Sequence, residues 1–391
     1  MSHKKQKIAI VSRSFWPVNP AIGEALLLLA ESFDKDKQAM VITQVDKGFF
    51  NTLGEARRGQ DIEFATIPSL TDSSSHMVLR ISELLLFTGF TFTSLVWHRP
   101  DKVYVATNPP VFTPLAVRWY CELFNKKYVY HLQDIHPEIT AIATGKSNII
   151  TRFISAVDTK TIVKASTLIT LTEQMRTYIN KKAGKPLSVQ LLSNPSVQGQ
   201  EIADASNNDS NPERIKGFVH CGNAGRVQRI PLLLTSIERY INEGGKLPFV
   251  FAGGGIHSDA IKKLANQFAN VSYLGVLPAE EAASLLRQYS FGLMPIEDEV
   301  TKYAFPSKSS SYVFSGCQVI AICGKETSVA DWVSSNGLGY VAEPNIESLV
   351  SLFHDLEKNP LPKLNIAAEV FEQLTPQHHA DSLKNILMQE N

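Results

Sequence analysis

Cysteine is scarce: the 391 residues hold four, Cys121, Cys221, Cys317 and Cys323. None forms a C-x-x-C pair and no histidine cluster has zinc-ligand spacing, so neither a redox dithiol nor a structural metal site is indicated. So few thiols in so long a chain read as reduced, mostly buried residues of a cytoplasmic protein. Excess charge is lacking too. Lys+Arg is 38 and Asp+Glu is 38, so nothing supports a nucleic-acid partner, although a local basic patch stays open. No G-x-G-x-x-G follows an apolar run and no G-x-x-x-x-G-K-[ST] exists, which disfavours a dinucleotide fingerprint and a P-loop. The basic N-terminus is followed by Ile8 to Ser12, too short an apolar run for a secretory signal. The most apolar stretch, Leu84 to Trp97, has fourteen residues without a charge against the about 20 that cross a bilayer. It has two readings: a buried helix, or a surface helix dipping into a membrane interface with Arg80, Trp97, His98 and Arg99 at its ends.

What is present is an alternation. Apolar runs rich in β-branched residues stand at 7–12, 40–45, 102–107, 127–132, 166–171 and 188–193. Helical patterns such as 23–33 and 151–165 lie between them. Near-continuous apolar runs of this length suit strands buried on both faces of a parallel sheet. The segment 196–214 is polar and rich in Ser, Asn and Asp, and reads as a linker. After it the alternation restarts at 217–222, 248–253, 271–276, 291–296, 318–323 and 339–344. The expected organisation is α/β: a doubly wound domain over 1–195, a linker over 196–214, a second such domain over 215–375, and a final helix over 376–391. Ligands of such sheets bind beyond the carboxyl ends of the strands, which points to a cleft between the two domains.

The residues after each strand are therefore the candidates. Gly23 opens a strongly apolar helix whose N-terminus suits a phosphate. Glycine clusters follow strands at 222–225 and 252–255, bringing in Asn223 and Gly254. Arg226 and Arg229 beside the first cluster suit a diphosphate, or else are solvated surface residues. The run 131–138 places His131, Asp134, His136 and Glu138 at one strand end. It reads as a polar active-site loop, or as a core histidine with Asp134 as a cap. In 293–312, Pro306 fits the first position of a helix, putting Ser307 and Lys308 in its first turn. Lysine is disfavoured there by the helix dipole, and a bound anion would relieve the conflict.

These pieces, in order along nearly the whole chain, resemble glycosyltransferase family 4, the retaining nucleotide-sugar transferases with a GT-B fold. The matching segments are Gly23, NPP at 108–110, HLQDIHPE at 131–138, LITLTEQM at 168–175, SNP at 193–195, GNAGRVQ at 222–228, FAGGG at 251–255, YLGVLP at 273–278, LMPI at 293–296 and FPSK at 305–308 followed by SGCQVIA at 315–321. The likeness is to the branch that builds bacterial surface polysaccharides, including transferases of N-acetyl-fucosamine-type sugars.

The resemblance implies a nucleoside diphosphate sugar, UDP rather than GDP, bound by the C-terminal half through Asn223, Arg226, Arg229, Gly254, Glu299, Ser307, Lys308 and Ser311, with Gly23 meeting the diphosphate. It implies His131 and Asp134 at the transferred sugar, and Asn108, His136 and Glu138 on the acceptor side. The acceptor would be a lipid-linked glycan of O-antigen or capsule synthesis. The enzyme would need no metal or other cofactor, and would be cytoplasmic, peripheral at the inner face of the plasma membrane through 84–97. Its final helix would cross back to the first domain. Many members carry two glutamates eight apart at the donor site; this chain has Tyr303 and Ser311 there. The alternatives are a sugar-nucleotide 2-epimerase of the same fold and a catalytically inactive transferase-like scaffold.

Overall fold

The computed structural model describes residues 6–33, 38–71, 76–145, 149–197, 214–360 and 366–389. Residues 198–213, most of the expected linker, lie outside them. The chain divides into two compact units, Met1–Gln198 with Leu374–Asn391, and Gly199–Gln373.

Unit 1 runs β1 (Ile8–Val11), α1 (Ile22–Ser32), β2 (Ala39–Val45), α2 (Phe49–Glu55), β3 (Glu63–Pro68), α3 (Met77–His98), β4 (Lys102–Ala106), α4 (Phe112–Phe124), β5 (Lys127–Leu132), α5 (Glu138–Thr144), α6 (Ile149–Lys164), β6 (Thr167–Thr170), α7 (Glu173–Ala183) and β7 (Val189–Leu191). Its seven strands form one sheet in the order β3-β2-β1-β4-β5-β6-β7, every pair parallel. Strands β1, β4 and β6 are buried throughout, as continuous apolar runs covered on both faces require. Strand β3 has no counterpart in the apolar pattern. It is an edge strand, half-exposed along most of its length, so it carries Glu63 and Pro68, which a central strand excludes.

Unit 2 runs β8 (Ile215–Cys221), α8 (Ile230–Asn242), β9 (Phe249–Ala252), α9 (Ser258–Gln267), β10 (Val271–Tyr273), α10 (Ala279–Gln288), β11 (Tyr289–Pro295), a short 3-10 helix Asp298–Lys302, α11 (Lys308–Phe314), β12 (Gln318–Ile322), α12 (Ser328–Ser335), β13 (Gly339–Ala342), α13 (Ile346–Lys358) and α14 (Ala368–Gln373). Six strands form a second parallel sheet, β10-β9-β8-β11-β12-β13. Its core is aromatic: the Phe218 ring stacks on Phe249 and Phe291 at 4.6 and 5.1 Å between centroids.

The last helix, α15 (Pro376–Met388), belongs to unit 1. Thr375 caps it by accepting the His378 N–H at 3.1 Å, and Pro376 pre-sets its first turn. It packs on α1, and Ala380, Leu383, Ile386 and Leu387 join the core cluster of β1 and α1. Lys102 reaches its end, donating to the carbonyls of Leu387 and Gln389 at 2.7 and 2.9 Å. That satisfies two of the carbonyls a helix leaves unpaired.

Helix α3 extends the stretch 84–97 to 22 residues, and by length and composition alone it is long and apolar enough to cross a membrane. One stripe, with Glu83, Phe87, Thr91 and Leu95, is buried. The opposite stripe is exposed, so neither sequence reading covers the whole helix.

Candidate functional site

Within unit 1 the candidates cluster at the carboxyl ends of β1, β4 and β5. Gly23 is buried in the first turn of α1, and a Cβ there would stand 2.5 Å from the Trp16 nitrogen and 2.7 Å from the Phe15 carbonyl carbon. The backbone approach that demands glycine is the chain's own. Asn108 donates through Nδ2 to Ser14 Oγ at 2.8 Å, and its carbonyl accepts the Arg13 N–H at 2.8 Å. It therefore ties the loop after β4 to the loop after β1.

Arg13 was not legible as a candidate. It projects beyond β1 onto Glu83 of α3 at 2.8 Å. Burial opposes ionisation of Glu83. Hydrogen bonds from Thr71 and Leu70 and the Arg13 guanidinium nevertheless hold its carboxyl below the usual range.

The run 131–138 splits. His131, the last residue but one of β5, is fully buried. Its Nδ1 shares a hydrogen bond with the Tyr104 hydroxyl at 2.7 Å, and its ring stacks on His379 of α15 at 5.6 Å. Of the two readings of this residue, the structure has the core histidine. Burial, then His379, drives it well below the usual imidazole range, and its Nε2 is buried without a hydrogen-bond partner. Asp134, two residues past the strand, reaches solvent, yet the protein crowded around its carboxyl strips enough water from it to push it up to about 6. His136 pairs through Nδ1 with Thr140 Oγ1 at 2.9 Å, and desolvation lowers it to about 4. Glu138 faces a network instead of a free surface. It takes the Tyr178 hydroxyl at 2.9 Å and the Lys182 ammonium at 3.0 Å, and Lys182 also holds buried Asp158 at 2.9 Å.

In unit 2 the glycine loops pack on one another. Past the ends of β8, β9 and β10 the parallel ladder continues: Gly222 N–H to the Ala252 carbonyl at 2.9 Å, Ala224 N–H to Gly254 at 2.8 Å, Gly253 N–H to Gly275 at 2.6 Å. Gly253 and Gly255 have φ of +128° and +146°. Side chains there would run into the Gly222 and Ala224 carbonyls, so only glycine serves. This seam holds Asn223 and Arg226 exposed on the turn before α8.

Arg229 plays another part. In the left-handed region at φ +44°, it is 15% exposed and binds Glu297 at 3.1 Å and Asp298 at 2.9 Å, with its Nε on the Ile296 carbonyl at 2.8 Å. It fastens the loop after β11 and is not a free diphosphate clamp. Glu299 is likewise engaged, by Lys302 and by the Tyr303 hydroxyl.

Lys308 is the first residue of α11, with Ser307 as N-cap; Pro306 therefore lies one residue outside the helix instead of at its first position. The Lys308 Nζ is 2.9 Å from Nε2 of His220, near the end of β8. Burial, then Lys308, keeps His220 well below the usual imidazole range, hence neutral. Its Nε2 lone pair then accepts from the ammonium. Burial also lowers Lys308, to about 7. The Lys308 side chain runs against Gly222, whose missing Cβ would be 3.8 Å from the lysine Cδ. Tyr312 anchors the helix: its hydroxyl donates to the Leu293 carbonyl at 2.9 Å, and its ring fills the space a Cβ on Gly292 would occupy. Ser307 is exposed and Ser311 half-buried on the same short helix. Asn223 and Arg226 thus stand on the turn after β8 and Ser307 and Lys308 at the start of α11, with His220 beside Lys308; Arg229 is engaged in fastening the loop after β11, while Glu299 is exposed on the short helix that follows. Gly254 remains in the seam. Among the described residues, no group of three or more His, Cys, Asp or Glu side chains could hold a metal ion.

No family model matches the chain. A probable glycosyltransferase, WbjE of Pseudomonas aeruginosa, is 27% identical over 275 residues, 66% of this chain and 67% of that protein. Three solved structures align over nearly the full length. WaaG, a glycosyltransferase involved in lipopolysaccharide biosynthesis, has a TM-score of 0.62 at 12% identity over 98% of this chain and all of that one. HepE of Anabaena, in complex with UDP and glucose, has 0.63 at 15% over 98% and 100%. The UDP-GlcNAc 2-epimerase of Methanocaldococcus jannaschii has 0.56 at 13% over 97% and 100%. At these identities the likeness is one of fold. With parallel sheets of seven and six strands flanked by helices, the chain has the GT-B fold of the glycosyltransferases.

Proposed function

We propose that the chain transfers a sugar, with retention, from a nucleoside diphosphate sugar to a hydroxyl of a lipid-linked glycan in bacterial surface-polysaccharide synthesis. UDP is the proposed nucleotide. The observation that carries this reading is Lys308, a cation held by neutral His220 beside the glycine turn after β8. A diphosphate leaving group gains negative charge as the glycosidic bond breaks, and a preorganised cation with free N–H donors stabilises that charge most where water is excluded. An arriving phosphate favours the ammonium form of Lys308, so the ligand completes its own clamp. Exposed Arg226 and Asn223 supply further donors. Asp134, exposed beyond β5, orients the sugar; buried His131 supports the strand end from within. No metal or other cofactor enters the proposal. The WbjE likeness and the UDP-bound fold relatives support it. A lipid-linked acceptor implies work at the cytoplasmic membrane surface, with α3 in contact with it.

Calorimetric titration with UDP and GDP tests the donor site. UDP is expected to bind the intact chain, and Lys308→Ala to weaken it by tenfold or more, about 1.5–3 kcal/mol for a hydrogen bond to a charged group. Binding of neither nucleotide would sink the assignment. The 2-epimerase reading keeps one specific support, the shared fold. Proton NMR of a UDP-sugar incubated with the protein alone separates the two, since an epimerase converts the sugar without an acceptor.

A further inference from the structure

Helices α3, α4 and α6 lie side by side, and their outer surface is unlike the rest of the molecule. Of the twenty-one exposed large apolar residues among the described ones, twelve stand on these three helices. Seven are on α3, six of them between Met77 and Leu86; two are Trp119 and Leu123 on α4; three lie in the first turns of α6. Ile149 and Trp97 are 83% and 84% exposed.

Charge is segregated on the same layer. The three helices carry Arg80, Arg118, Arg152, Lys160 and Lys164 against Glu83, Glu122 and Asp158. Glu83 and Asp158 are buried and already neutralised by Arg13 and Lys182. Glu122 is the one exposed carboxylate among five cations, in a chain whose totals balance.

Between α4 and α6 lies a groove of about 420 Å³ lined by Arg118, Glu122, Thr159, Lys160, Val163 and Lys164. Glu122 reaches Arg118 at 3.7 Å and Lys164 at 3.8 Å, distances of loose ion pairs. Arg118 is 11% exposed, and its Nε is buried without a hydrogen-bond partner. The groove therefore has cationic donors in excess of its single carboxylate. On α6 the exposed residues Ile149, Phe153, Ala156, Lys160 and Lys164 share one stripe. It is mostly apolar in the first turns, where exposed Arg152 borders it, and cationic in the last. Phe153 and Lys160 are about 10 Å apart along the axis at 1.5 Å per residue, near the depth to which interfacial helices sink.

We infer that this face docks on an anionic lipid bilayer and that the α4–α6 groove seats a phosphate-bearing lipid headgroup. The first turns of α3 and α6 enter the acyl boundary while Lys160 and Lys164 stay at phosphate level. This deepens the membrane contact proposed above and rests on that reading for its biological sense, but its surface is set by the three helices and not by 84–97 alone. Because the buried stripe of α3 packs on the protein and carries Glu83 ion-paired to Arg13, α3 lies against the bilayer rather than across it.

Sedimentation of the full chain with vesicles tests the inference. Phosphatidylcholine vesicles containing phosphatidylglycerol should carry the protein down, and vesicles of phosphatidylcholine alone at least tenfold less. K160Q/K164Q should reduce binding to the anionic vesicles by roughly tenfold or more, as about 1 kcal/mol per basic residue near the surface implies. I149S/F153S should reduce it as well. High salt and alkaline carbonate should release the bound protein. Equal sedimentation with both vesicle types, or unchanged sedimentation of both variants, overturns the inference, as does retention in carbonate, which marks a spanning helix. Inorganic phosphate at the vesicles' phosphate concentration should not displace the protein; displacement would make the groove a free-phosphate site. UDP titration of the same variants keeps the two readings apart: unchanged UDP binding with lost sedimentation isolates the docking face, and absent UDP binding with normal sedimentation removes only the donor site.

Discussion

A half-buried amine beside a buried imidazole is the pair on which the proposed donor site of unit 2 rests. Lys308 loses water on burial and falls to about 7, and His220, neutral for the same reason, accepts one of its N–H groups. The ammonium form dominates below that value and is lost as pH rises through it. Affinity for a diphosphate should fall accordingly. Calorimetry across this range is expected to show UDP binding weakening with rising pH and taking up a proton near neutrality. Lys308→Arg, which stays charged, should flatten the profile. His220→Leu should weaken binding by about tenfold and His220→Gln, which keeps an acceptor, by less. A pH-independent affinity in the unmodified chain would rule out Lys308 as the titrating clamp.

At the scale of elements, the glycines of unit 2 are structural before they are functional. They let three parallel strands prolong their ladder through the following loops, and that seam fixes where Asn223 and Arg226 emerge. Gly253→Ala combines a left-handed φ with a backbone collision and should destabilise unit 2 by about 2 kcal/mol or more. Gly244→Ala, also left-handed at +95° but facing open space, should lose only about 1 kcal/mol. Urea denaturation compares the two directly. Equal losses would mean that the loop contacts contribute nothing.

At the scale of the molecule, the chain leaves unit 1, builds unit 2, and returns with α15 to finish the core it began. Leu383, Ile386 and Leu387 are buried there; at about 1.5–3 kcal/mol each, they match a large part of a domain's net stability of about 5–15 kcal/mol. Truncation after Leu374 should therefore yield an insoluble protein or a collapse of thermal stability, seen by calorimetry. The same helix makes unit 1 acid-sensitive. Burial lowers His379 to about 4 and holds His131 well below its usual range. Below about 6.5 the unfolded chain binds protons that the folded one refuses, so stability falls with pH from there to about 4. For His379 alone this amounts to roughly 3 kcal/mol. His379→Gln should flatten the melting temperature against pH over that window.

The sequence by itself determined the two sheets, because continuous apolar runs have no other stable home than a parallel sheet covered on both faces. Those runs located twelve of the thirteen described strands; the edge strand β3 stayed hidden because a half-exposed strand needs no such run. The sequence also marked Lys308, since a lysine opening a helix conflicts with the dipole wherever the helix ends up. Only the tertiary structure decided which candidates face solvent and which are engaged within the protein. His131 and Asp134 are three residues apart, yet one turns into the core and the other to solvent, a choice made by Tyr104 and by His379 from the far end of the chain. Arg226 and Arg229 differ likewise, because the partners of Arg229, Glu297 and Asp298, arrive from another loop. Residue type and local spacing carry the fold, a property of periodicity. A site is a property of long-range neighbours, and these come together only when the chain has closed on itself.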